Sequence, residues 1–206
     1  MRKTLAACFV LTAIAIAYLG TTTAQAQDKK GKKAVELKVK VGDTAPDFES
    51  VDDQGKPFKS KDVVGKKIVV LYFYPADFTG GCTAQACGFR DDIEKLSSAG
   101  VLVLGVSGDS VANHKLFKED FKLNFPLLAD EKGELAKTFG VPVNKGGTAK
   151  GKKSGGDTID VTQGVRIARY TIVIDKAGKV AAADAVGDAK GDAKRIADVV
   201  KRLESK

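Results

Sequence analysis

The sequence predicts an α/β protein with a central mixed β-sheet flanked by helices. Short apolar runs rich in β-branched residues alternate along the chain with segments of helical periodicity. Near the C-terminus, two such runs are separated only by a short turn, as in a β-hairpin. Strands that alternate with helices usually form parallel pairs covered on both faces, and the late hairpin adds antiparallel pairs, so the sheet is expected to be mixed.

The first predicted elements lead to a helix that starts with a cysteine. A β-hairpin is expected in residues 41–58, with its turn at residues 53–55 (Asp-Gln-Gly). Residues 68–74 read Ile-Val-Val-Leu-Tyr-Phe-Tyr, a continuous apolar run typical of a central strand buried on both faces. Pro75 ends this strand, and a helix is expected from Cys82 onward. The apolar positions of this helix recur with helical spacing and are Cys82, Ala86, Phe89, Ile93 and Leu96.

The middle of the chain continues the alternation of strand and helix. A strand is expected at residues 101–106, followed by a helix over residues 111–122. A second strand is expected at residues 125–128, and residues 134–139 have the pattern of a short helix. These elements would add neighbouring strands to the central one.

The last third begins with a stretch rich in glycine and lysine. Residues 144–156 have this composition, and a flexible surface loop is therefore expected around residues 144–164. Strands at residues 170–174 and 180–185 flank a Lys-Ala-Gly turn. A final helix is expected because apolar residues recur with helical spacing at Ala193, Ile196, Val200 and Leu203.

Cys82 stands where a helix begins just past a buried strand. Gly80 and Gly81 are expected to let the backbone turn tightly there. The unpaired N–H groups and the positive end of the helix dipole favour an anionic sulfur, which predicts a nucleophilic thiolate. Cys87 lies about 140° around the helix from Cys82, so a disulfide between them requires the first turns to unwind. Two buried structural cysteines, or a static disulfide, are the alternatives.

Several motifs in order resemble those of the peroxiredoxins. Pro75-x-x-x-Thr79-x-x-Cys82 resembles the active-site signature of that family, and Cys82-x4-Cys87-Gly-Phe-Arg-Asp91 resembles its Q-type, or bacterioferritin-comigratory, branch. Further similarities lie at residues 41–48, 106–109, 125–130 and 169–175, and the resemblance as a whole spans about residues 41–203. It implies a thioredoxin-like fold, in the peroxiredoxin variant, over a domain of residues 41–206.

The resemblance also implies a thiol-dependent peroxidase that reduces hydrogen peroxide, organic hydroperoxides or both. Cys82 would be the peroxidatic thiolate, oxidised to a sulfenic acid and captured by Cys87 as a Cys82–Cys87 disulfide. Thr79 would bond the thiolate or peroxide through its hydroxyl, Arg169 would stabilise their charge, and Pro75 would shield the pocket. A thioredoxin-like protein would reduce the disulfide. The resemblance implies no cofactor and no metal, and a monomer is expected.

Two positions depart from the pattern of that family. Gly80 stands where the Q-type branch usually has proline, which should loosen the loop and ease the unwinding of the helix. Gln85 stands where the family has glutamate, and an amide keeps hydrogen bonds but cannot form an ion pair with an arginine. Activity is expected to survive these changes with an altered rate.

The N-terminus resembles a secretory signal peptide. Arg2 and Lys3 are followed by an apolar run at residues 5–19 and by Ala-Gln-Ala at residues 24–26, as at a cleavage site. We therefore expect a signal peptide at residues 1–26, a basic flexible arm at residues 27–40, and a periplasmic or secreted protein. The apolar run is shorter than the roughly 20 residues that a membrane span needs, so stable membrane insertion is not expected.

The formal net charge is +8, from 34 basic and 26 acidic residues. Much of the excess lies in lysines of the basic arm and of the glycine-rich stretch, which have the pattern of solvated surface segments. Because no aromatic residues are interleaved with these lysines, nucleic-acid binding is not expected.

Two other functions use cysteine pairs at the start of a helix. An exported copper-binding chaperone of the same fold class could use Cys82, Cys87 and His114, the only histidine in the chain. A thiol-disulfide oxidoreductase acting on proteins is a third possibility, but it usually has two residues between its cysteines, whereas four separate Cys82 from Cys87. His114 lies in a predicted helix and is expected to be a surface or capping residue without a catalytic role.

Overall fold

The structure is a computed structural model, and it describes residues 37–98 and 100–205. The strands are β1 (Glu49–Asp52), β2 (Pro57–Lys59), β3 (Ile68–Phe73), β4 (Val101–Ser107), β5 (Leu127–Ala129), β6 (Val143–Lys152), β7 (Thr158–Ile167), β8 (Tyr170–Ile174) and β9 (Val180–Ala185). The helices are α1 (Gly80–Ser98), α2 (Val111–Phe121), α3 (Glu134–Phe139) and α4 (Asp192–Glu204). The expected signal peptide, most of the expected basic arm, and the side chains of Ile93 and Leu96 lie outside the described residues.

Seven of the described strands form one mixed sheet in the order β2-β1-β5-β4-β3-β8-β9. β3 lies near its centre, parallel to β4 and antiparallel to β8. Every residue of β3 is buried, because helices and loops cover both faces of the sheet. The predicted α/β fold with a central mixed sheet is therefore confirmed, and so are the late hairpin and the four helices.

The alternation of side chains along β3 divides the core into two layers. Val70 and Tyr72 face α1, α2 and α4, where they pack with Phe89 and Ile196. Leu71 and its alternating neighbours face the opposite side, where they pack with α3 and the N-terminal segment. Because α1 and α4 cover the same face, the start of α4 lies beside the first turns of α1.

Residues 37–40, expected to belong to a flexible arm, are held against this second layer. The Lys38 N–H donates a hydrogen bond of 3.0 Å to the carbonyl of Phe139, at the end of α3. Val39 is buried in the core. The arm was assigned from its lysines, and the prediction is wrong for these four residues because Leu37 and Val39 supply apolar side chains that the core accommodates.

The glycine- and lysine-rich stretch is not a loop, which corrects the prediction for residues 144–164. β6 and β7 form an antiparallel hairpin, with Val143 opposite Ile167 and Lys152 opposite Thr158. β7 has the alternation of a half-buried strand, since Val161, Gln163 and Ile167 are buried between exposed neighbours. Gly151 allows close packing rather than flexibility, because a Cβ there would lie 2.4 Å from the Cβ of Phe78.

The turn before α1 also differs from the prediction. α1 begins at Gly80, so Cys82 is in its first turn, and neither Gly80 nor Gly81 has a positive φ. The left-handed residue of this turn is Phe78, with φ of 59°. Residues other than glycine rarely adopt this backbone conformation, so contacts around Phe78 must stabilise it. The Lys152 N–H of the hairpin donates a hydrogen bond of 2.9 Å to the Phe78 carbonyl.

Within residues 37–98 and 100–205, no helix is both long enough and apolar enough to cross a membrane.

Candidate active site

Cys82 lies in the first turn of α1 and is 1% exposed. Its sulfur accepts a hydrogen bond from Arg169, with 3.0 Å between Nη2 and Sγ. The first N–H groups of a helix have no intrahelical acceptor, so the positive end of α1 also lies near this sulfur. The sulfur of this buried cysteine therefore faces both the Arg169 guanidinium and the positive end of α1.

The pairing of β3 with β8 places Arg169 at this site. Phe73, the last residue of β3, pairs with Tyr170, the first residue of β8, so Arg169 lies beside the point where the chain leaves β3 for α1. A Cβ at Gly81 would lie 3.5 Å from Arg169 Nη2, which shows how closely the guanidinium approaches the helix backbone. The sequence predicted Arg169 and Cys82 as site residues, and the fold places them in contact.

Gln85 connects the arginine to a buried carboxylate. The guanidinium Nη1 of Arg169 donates a hydrogen bond to Gln85 Oε1. Gln85 Nε2 in turn donates to Asp192 Oδ2 at 2.7 Å, and the hydroxyl of Thr171 donates to the same oxygen at 2.6 Å. Asp192 is 1% exposed, and its other oxygen is ion-paired with Arg195 at 2.8 Å, so the hydrogen bonds from Arg169 end at a carboxylate that already has a cationic partner. Sequence analysis missed Asp192, and only its position at the start of a helix could have indicated it.

Thr79 and Pro75 lie in the turn that joins β3 to α1. The Thr79 carbonyl accepts the first hydrogen bond of the helix, from the Thr83 N–H at 2.8 Å. The Thr79 hydroxyl donates to the carbonyl of Ala76 at 2.9 Å. This bond uses the hydroxyl proton, so Thr79 Oγ1 has lone pairs left to accept a further hydrogen bond. Pro75 is half-buried, and its carbonyl accepts a hydrogen bond of 2.6 Å from Gln163 of β7.

Cys87 lies one turn beyond Thr83 and is partly exposed. Both Cys82 and Cys87 are free thiols. Burial raises the pKa of the Cys87 thiol above its ordinary value, an effect that nearby Arg90 reduces and Asp91 reinforces. Cys87 therefore remains protonated near neutral pH, unlike a thiol prepared for nucleophilic attack.

His114 is fully buried, contrary to the expectation of a surface or capping residue. Its Nδ1 lies 2.9 Å from Asp77 Oδ2, and its Nε2 lies 3.2 Å from the carbonyl of Leu128. Tyr74 donates to the other oxygen of Asp77 at 2.7 Å. The prediction failed because the partner Asp77 belongs to the turn before α1, which packs on α2 only in the folded chain.

Asp109 ties the same turn to the hairpin. Its Oδ2 accepts hydrogen bonds from the Asp77 N–H at 3.0 Å, from the Ser107 hydroxyl at 2.6 Å and from Gln163 Nε2 at 2.8 Å. All of these groups are buried. We name the residues Tyr74, Asp77, Ser107, Asp109, His114 and Gln163 the buried polar network. It holds the backbone of the turn from both sides, at Pro75 and at Asp77.

Three groups of the buried polar network, Tyr74, Asp109 and His114, have a raised pKa and so bind protons more readily in the folded protein; for Tyr74 the main cause is burial. Burial, with the charge of Asp77, raises the pKa of Asp109 to about 6, although the hydrogen bond from Ser107 opposes this. Burial lowers the pKa of His114, but the charge of Asp77 and the hydrogen bond to it outweigh burial and raise the pKa above its ordinary value. Protonated His114 can then form a buried ion pair with Asp77.

The raised pKa of His114 predicts a stability that depends on pH. The contribution of His114 to the free energy of unfolding is present below pH about 6.5, and it is lost as pH rises through the folded-state pKa of His114. The loss is about 1.4 kcal/mol for each tenfold difference in proton affinity between the folded and unfolded chains. We expect the melting temperature to fall as pH rises from 6 to 8.5. A His114→Asn variant should lack this component, and equal slopes in both proteins would contradict the assignment. The chain has only one histidine, so the comparison isolates it.

Comparison with known proteins gives consistent matches. Residues 41–183 match the model of the AhpC/TSA family. A protein described as a putative peroxiredoxin bcp of Coxiella burnetii is 41% identical over 167 residues, which are 81% of this chain and the whole of that protein. Peroxiredoxin Q of Sedum lineare, a chloroplast protein, is 46% identical over 123 residues, which are 60% of this chain and 66% of that protein, slightly less than two thirds. The crystal structure of peroxidoxin BcpB from Mycobacterium tuberculosis is 31% identical, with a TM-score of 0.65 over 80% of this chain and 98% of that one.

Proposed function

Because this chain belongs to the AhpC/TSA family and is a peroxiredoxin of the Q, or bacterioferritin-comigratory, type, we propose that it reduces hydrogen peroxide and organic hydroperoxides with Cys82 as the attacking thiolate. The observation that carries this proposal is the contact of 3.0 Å between Arg169 Nη2 and Cys82 Sγ in the first turn of α1. The guanidinium can stabilise both the thiolate and the charge that develops on the peroxide oxygens.

The first step breaks the O–O bond. The Cys82 thiolate attacks one peroxide oxygen and becomes a sulfenic acid, while the second oxygen leaves as water or an alcohol after taking a proton from solvent. Arg169 donates to the reacting atoms. Thr79 Oγ1, whose proton is bonded to the Ala76 carbonyl, has lone pairs that can accept the O–H of the bound peroxide. Pro75 shields the pocket from water.

The second step forms the disulfide. Cys87 attacks the Cys82 sulfenic acid, water leaves, and a Cys82–Cys87 disulfide remains. In an intact helix the two positions are about 140° apart, whereas a disulfide needs Cβ atoms about 3.5–4.5 Å apart. The first turns of α1 must therefore unwind. Gly80 favours this unwinding, because a glycine gains more backbone freedom than other residues when a helix opens.

A proline at position 80 should slow this second step. Gly80 is the first residue of α1, a Cβ there meets no atom within 4 Å, and its φ is not positive. Proline is favoured at a first helical position, and it would stabilise the wound state by about 0.4–1 kcal/mol, which slows disulfide formation about two- to fivefold. Peroxide consumption should be unchanged. Rapid-quench detection of the disulfide in both proteins measures the effect, and equally fast formation would count against the unwinding step.

The oxidised enzyme needs a reductant, and we propose a thioredoxin-like dithiol protein. The apolar run and Ala-Gln-Ala at the N-terminus support export by a cleaved signal peptide, hence a periplasmic or secreted protein and a reductant in the same compartment. The resemblance to the Q-type branch supports a monomer. Mass spectrometry of the protein recovered from the periplasm or medium should find a chain beginning at Gln27, and a cytoplasmic chain that retains Met1 would contradict export.

The arrangement of the site argues against the copper chaperone considered from the sequence. Both ring nitrogens of His114 are engaged, with Asp77 and with the carbonyl of Leu128. Cys82 and Cys87 lie on different faces of α1. These three residues therefore do not converge on one ion, as copper ligands must.

The proposal is tested by stopped-flow mixing of the reduced protein with hydrogen peroxide. We expect stoichiometric consumption much faster than that of a free thiol, and a product with one Cys82–Cys87 disulfide detected by peptide mapping. A rate equal to that of free cysteine would overturn the proposal. An insulin-reduction assay run in parallel distinguishes a protein oxidoreductase, which would reduce insulin and consume little peroxide.

A further inference from the structure

The buried carboxylate of Asp192 accepts hydrogen bonds on both of its oxygens. Its Oδ2 accepts from Gln85 Nε2 at 2.7 Å and from the Thr171 hydroxyl at 2.6 Å. Its Oδ1 accepts from Arg195, at 3.0 Å from Nε and 2.8 Å from Nη2. Gln85 and Thr171 are as deeply buried as Asp192. In all four of these bonds the side chain of Asp192 is the acceptor, so it requires a donor from position 85.

The side-chain amide of Gln85 lies between this carboxylate and the guanidinium of Arg169. Its Oε1 accepts from Arg169 Nη1, and its Nε2 donates to Asp192. A guanidinium has only donors and a carboxylate only acceptors, so one of the two amide orientations satisfies both neighbours. The reverse orientation places the amide nitrogen against the guanidinium N–H groups and the amide oxygen against the carboxylate. Asp192 thus determines which end of Gln85 faces Arg169.

The amide oxygen of Gln85 helps to fix the plane of the Arg169 guanidinium. Nη1 of Arg169 donates to this oxygen, and Nη2 donates to Cys82 Sγ at 3.0 Å. Two nitrogens of a planar group that are bonded to two different partners define the plane, whereas a single bond leaves the group free to rotate about it. When the amide oxygen turns away, the guanidinium loses one of these two partners, and its contact with the sulfur becomes less well defined.

The packing of α4 against α1 places the carboxylate of Asp192 at this distance from the active site. Asp192 is the first residue of α4, and the two helices lie side by side. Gly88 lies three residues after Gln85 and on the same face of α1. A Cβ at Gly88 would lie 3.3 Å from the Cβ of Ala193, so the absence of a side chain there lets the start of α4 approach closely. Asp192 is therefore held by two packed helices.

We propose that Asp192 is a positioning residue for the peroxide reaction, because it orients Gln85 so that the amide oxygen holds the Arg169 guanidinium beside Cys82. This inference rests on the proposed function, in which Arg169 donates to the reacting atoms. Asp192 acts through the two side chains that separate it from the sulfur. Its own charge is paired with Arg195 at 2.8 Å, so its effect on the site is one of orientation rather than of added negative charge.

The same geometry makes positions 85 and 192 a pair whose acid and amide are exchangeable. Asparagine at position 192 turns its oxygen toward Arg195, which can only donate, and its amide nitrogen toward position 85. Gln85 must then reverse and present its own nitrogen to Arg169. Glutamate at position 85 removes this conflict, because its carboxylate accepts from the asparagine and from Arg169 together. Glutamate facing the unchanged Asp192 gives no such benefit, since two carboxylates this close repel each other.

The test compares Asp192→Asn, Gln85→Glu and the double variant with the wild type. The matched control is Asp184→Asn, the same chemical change at the other carboxylate that pairs with Arg195, at 2.7 Å from β9. Asparagine has the shape of aspartate, so the variants should fold, and thermal melting of each protein checks this. Single-turnover stopped flow then measures the rate of peroxide consumption.

A second measurement reports the position of the guanidinium without peroxide. Each protein also carries Cys87→Ser, so that no Cys82–Cys87 disulfide forms and Cys82 is the only thiol of its tryptic peptide, residues 68–90. The peptide is quantified by mass spectrometry after alkylation with iodoacetate, an anion, or with iodoacetamide, which is neutral. The ratio of the two rates does not depend on the fraction of thiolate, and it rises when a cation lies beside the sulfur.

We expect Asp192→Asn to consume peroxide about tenfold more slowly, as after the loss of one hydrogen bond to a charged group. Its iodoacetate-to-iodoacetamide ratio should fall up to about fivefold, the effect of one unit charge at about 4 Å in water. Adding Gln85→Glu should restore both values, although Gln85→Glu should bring no gain when Asp192 is present. The Asp184→Asn control should equal the wild type.

Two results would overturn the proposal. One is an Asp192→Asn protein whose rate and alkylation ratio equal those of the wild type. The other is a Gln85→Glu effect that is the same with and without Asp192→Asn, since the two positions would then act independently. A wild type that consumes peroxide no faster than a free thiol would contradict only the proposed function, because the alkylation ratio still measures whether Asp192 holds Arg169 beside Cys82.

Discussion

Replacing Cys82 with serine is expected to reduce the rate of peroxide consumption by several orders of magnitude, because a serine hydroxyl is not ionised near neutral pH and cannot attack the O–O bond. Replacing Cys87 with serine should leave the first turnover intact, since Cys87 makes no contact with Arg169 and lies on the other side of α1. Single-turnover stopped flow compares the two variants directly.

The product of the Cys87→Ser reaction distinguishes the roles of the two thiols. The Cys82 sulfenic acid has no partner thiol in that variant, so it should persist and be captured by dimedone, with the adduct found on the peptide that contains Cys82. The Cys82→Ser variant provides the matched control and should give no adduct. Equal peroxide consumption by both variants would reject the assigned roles.

Replacing Arg169 with alanine is expected to slow peroxide consumption about 100-fold, the loss typical when one donor to a developing negative charge is removed. The variant loses the donor that lies 3.0 Å from Cys82 Sγ and also breaks the connection through Gln85 to Asp192. An Arg169→Lys variant should recover only part of the rate. A lysine carries the charge, but it lacks the planar fork that contacts the sulfur and Gln85 together.

Arg166 offers a matched control for this experiment. It lies in β7, three residues before Arg169, and is exposed. Its replacement by alanine removes the same charge and side-chain volume without a change at Cys82, so the rate should remain that of the wild type. If Arg166→Ala and Arg169→Ala slowed the reaction equally, the effect would come from net charge and the assigned contact would be wrong.

Local patterns predicted the elements whose burial is complete or regularly periodic. The run at residues 68–74 has no charged residue and is rich in β-branched and aromatic side chains, as a buried strand requires, and α3 has the predicted bounds. The hairpin of β6 and β7 was missed because its glycines and lysines resemble a loop, although β7 alternates inward and outward residues. The hairpin packs on the rest of the fold through contacts such as that of Gly151 with Phe78, which lie far apart in the sequence.

The site residues also fall into those that local motifs predicted and those that only the fold brought together. Cys82, Cys87, Thr79, Arg169 and Pro75 were identified from motifs, and the fold brings Arg169 into contact with Cys82. Their catalytic roles stay predictions. Asp192 was missed although it completes the chain of hydrogen bonds from Arg169, since it is 107 residues from Gln85 in the sequence. His114 was expected at the surface, because a histidine in a helix carries no sign of the buried carboxylate that it meets.

The sequence by itself determined the family, the α/β order of elements and the cysteine at the start of a helix, because these depend on residues close together in the chain. Only the tertiary structure decided that Phe78 takes a left-handed conformation, that Asp77 pairs with His114, and that the lysines of the hairpin border the first turn of α1. These features arise when segments distant in sequence pack together. Their energies come from desolvation and from contacts that no local pattern of residues encodes.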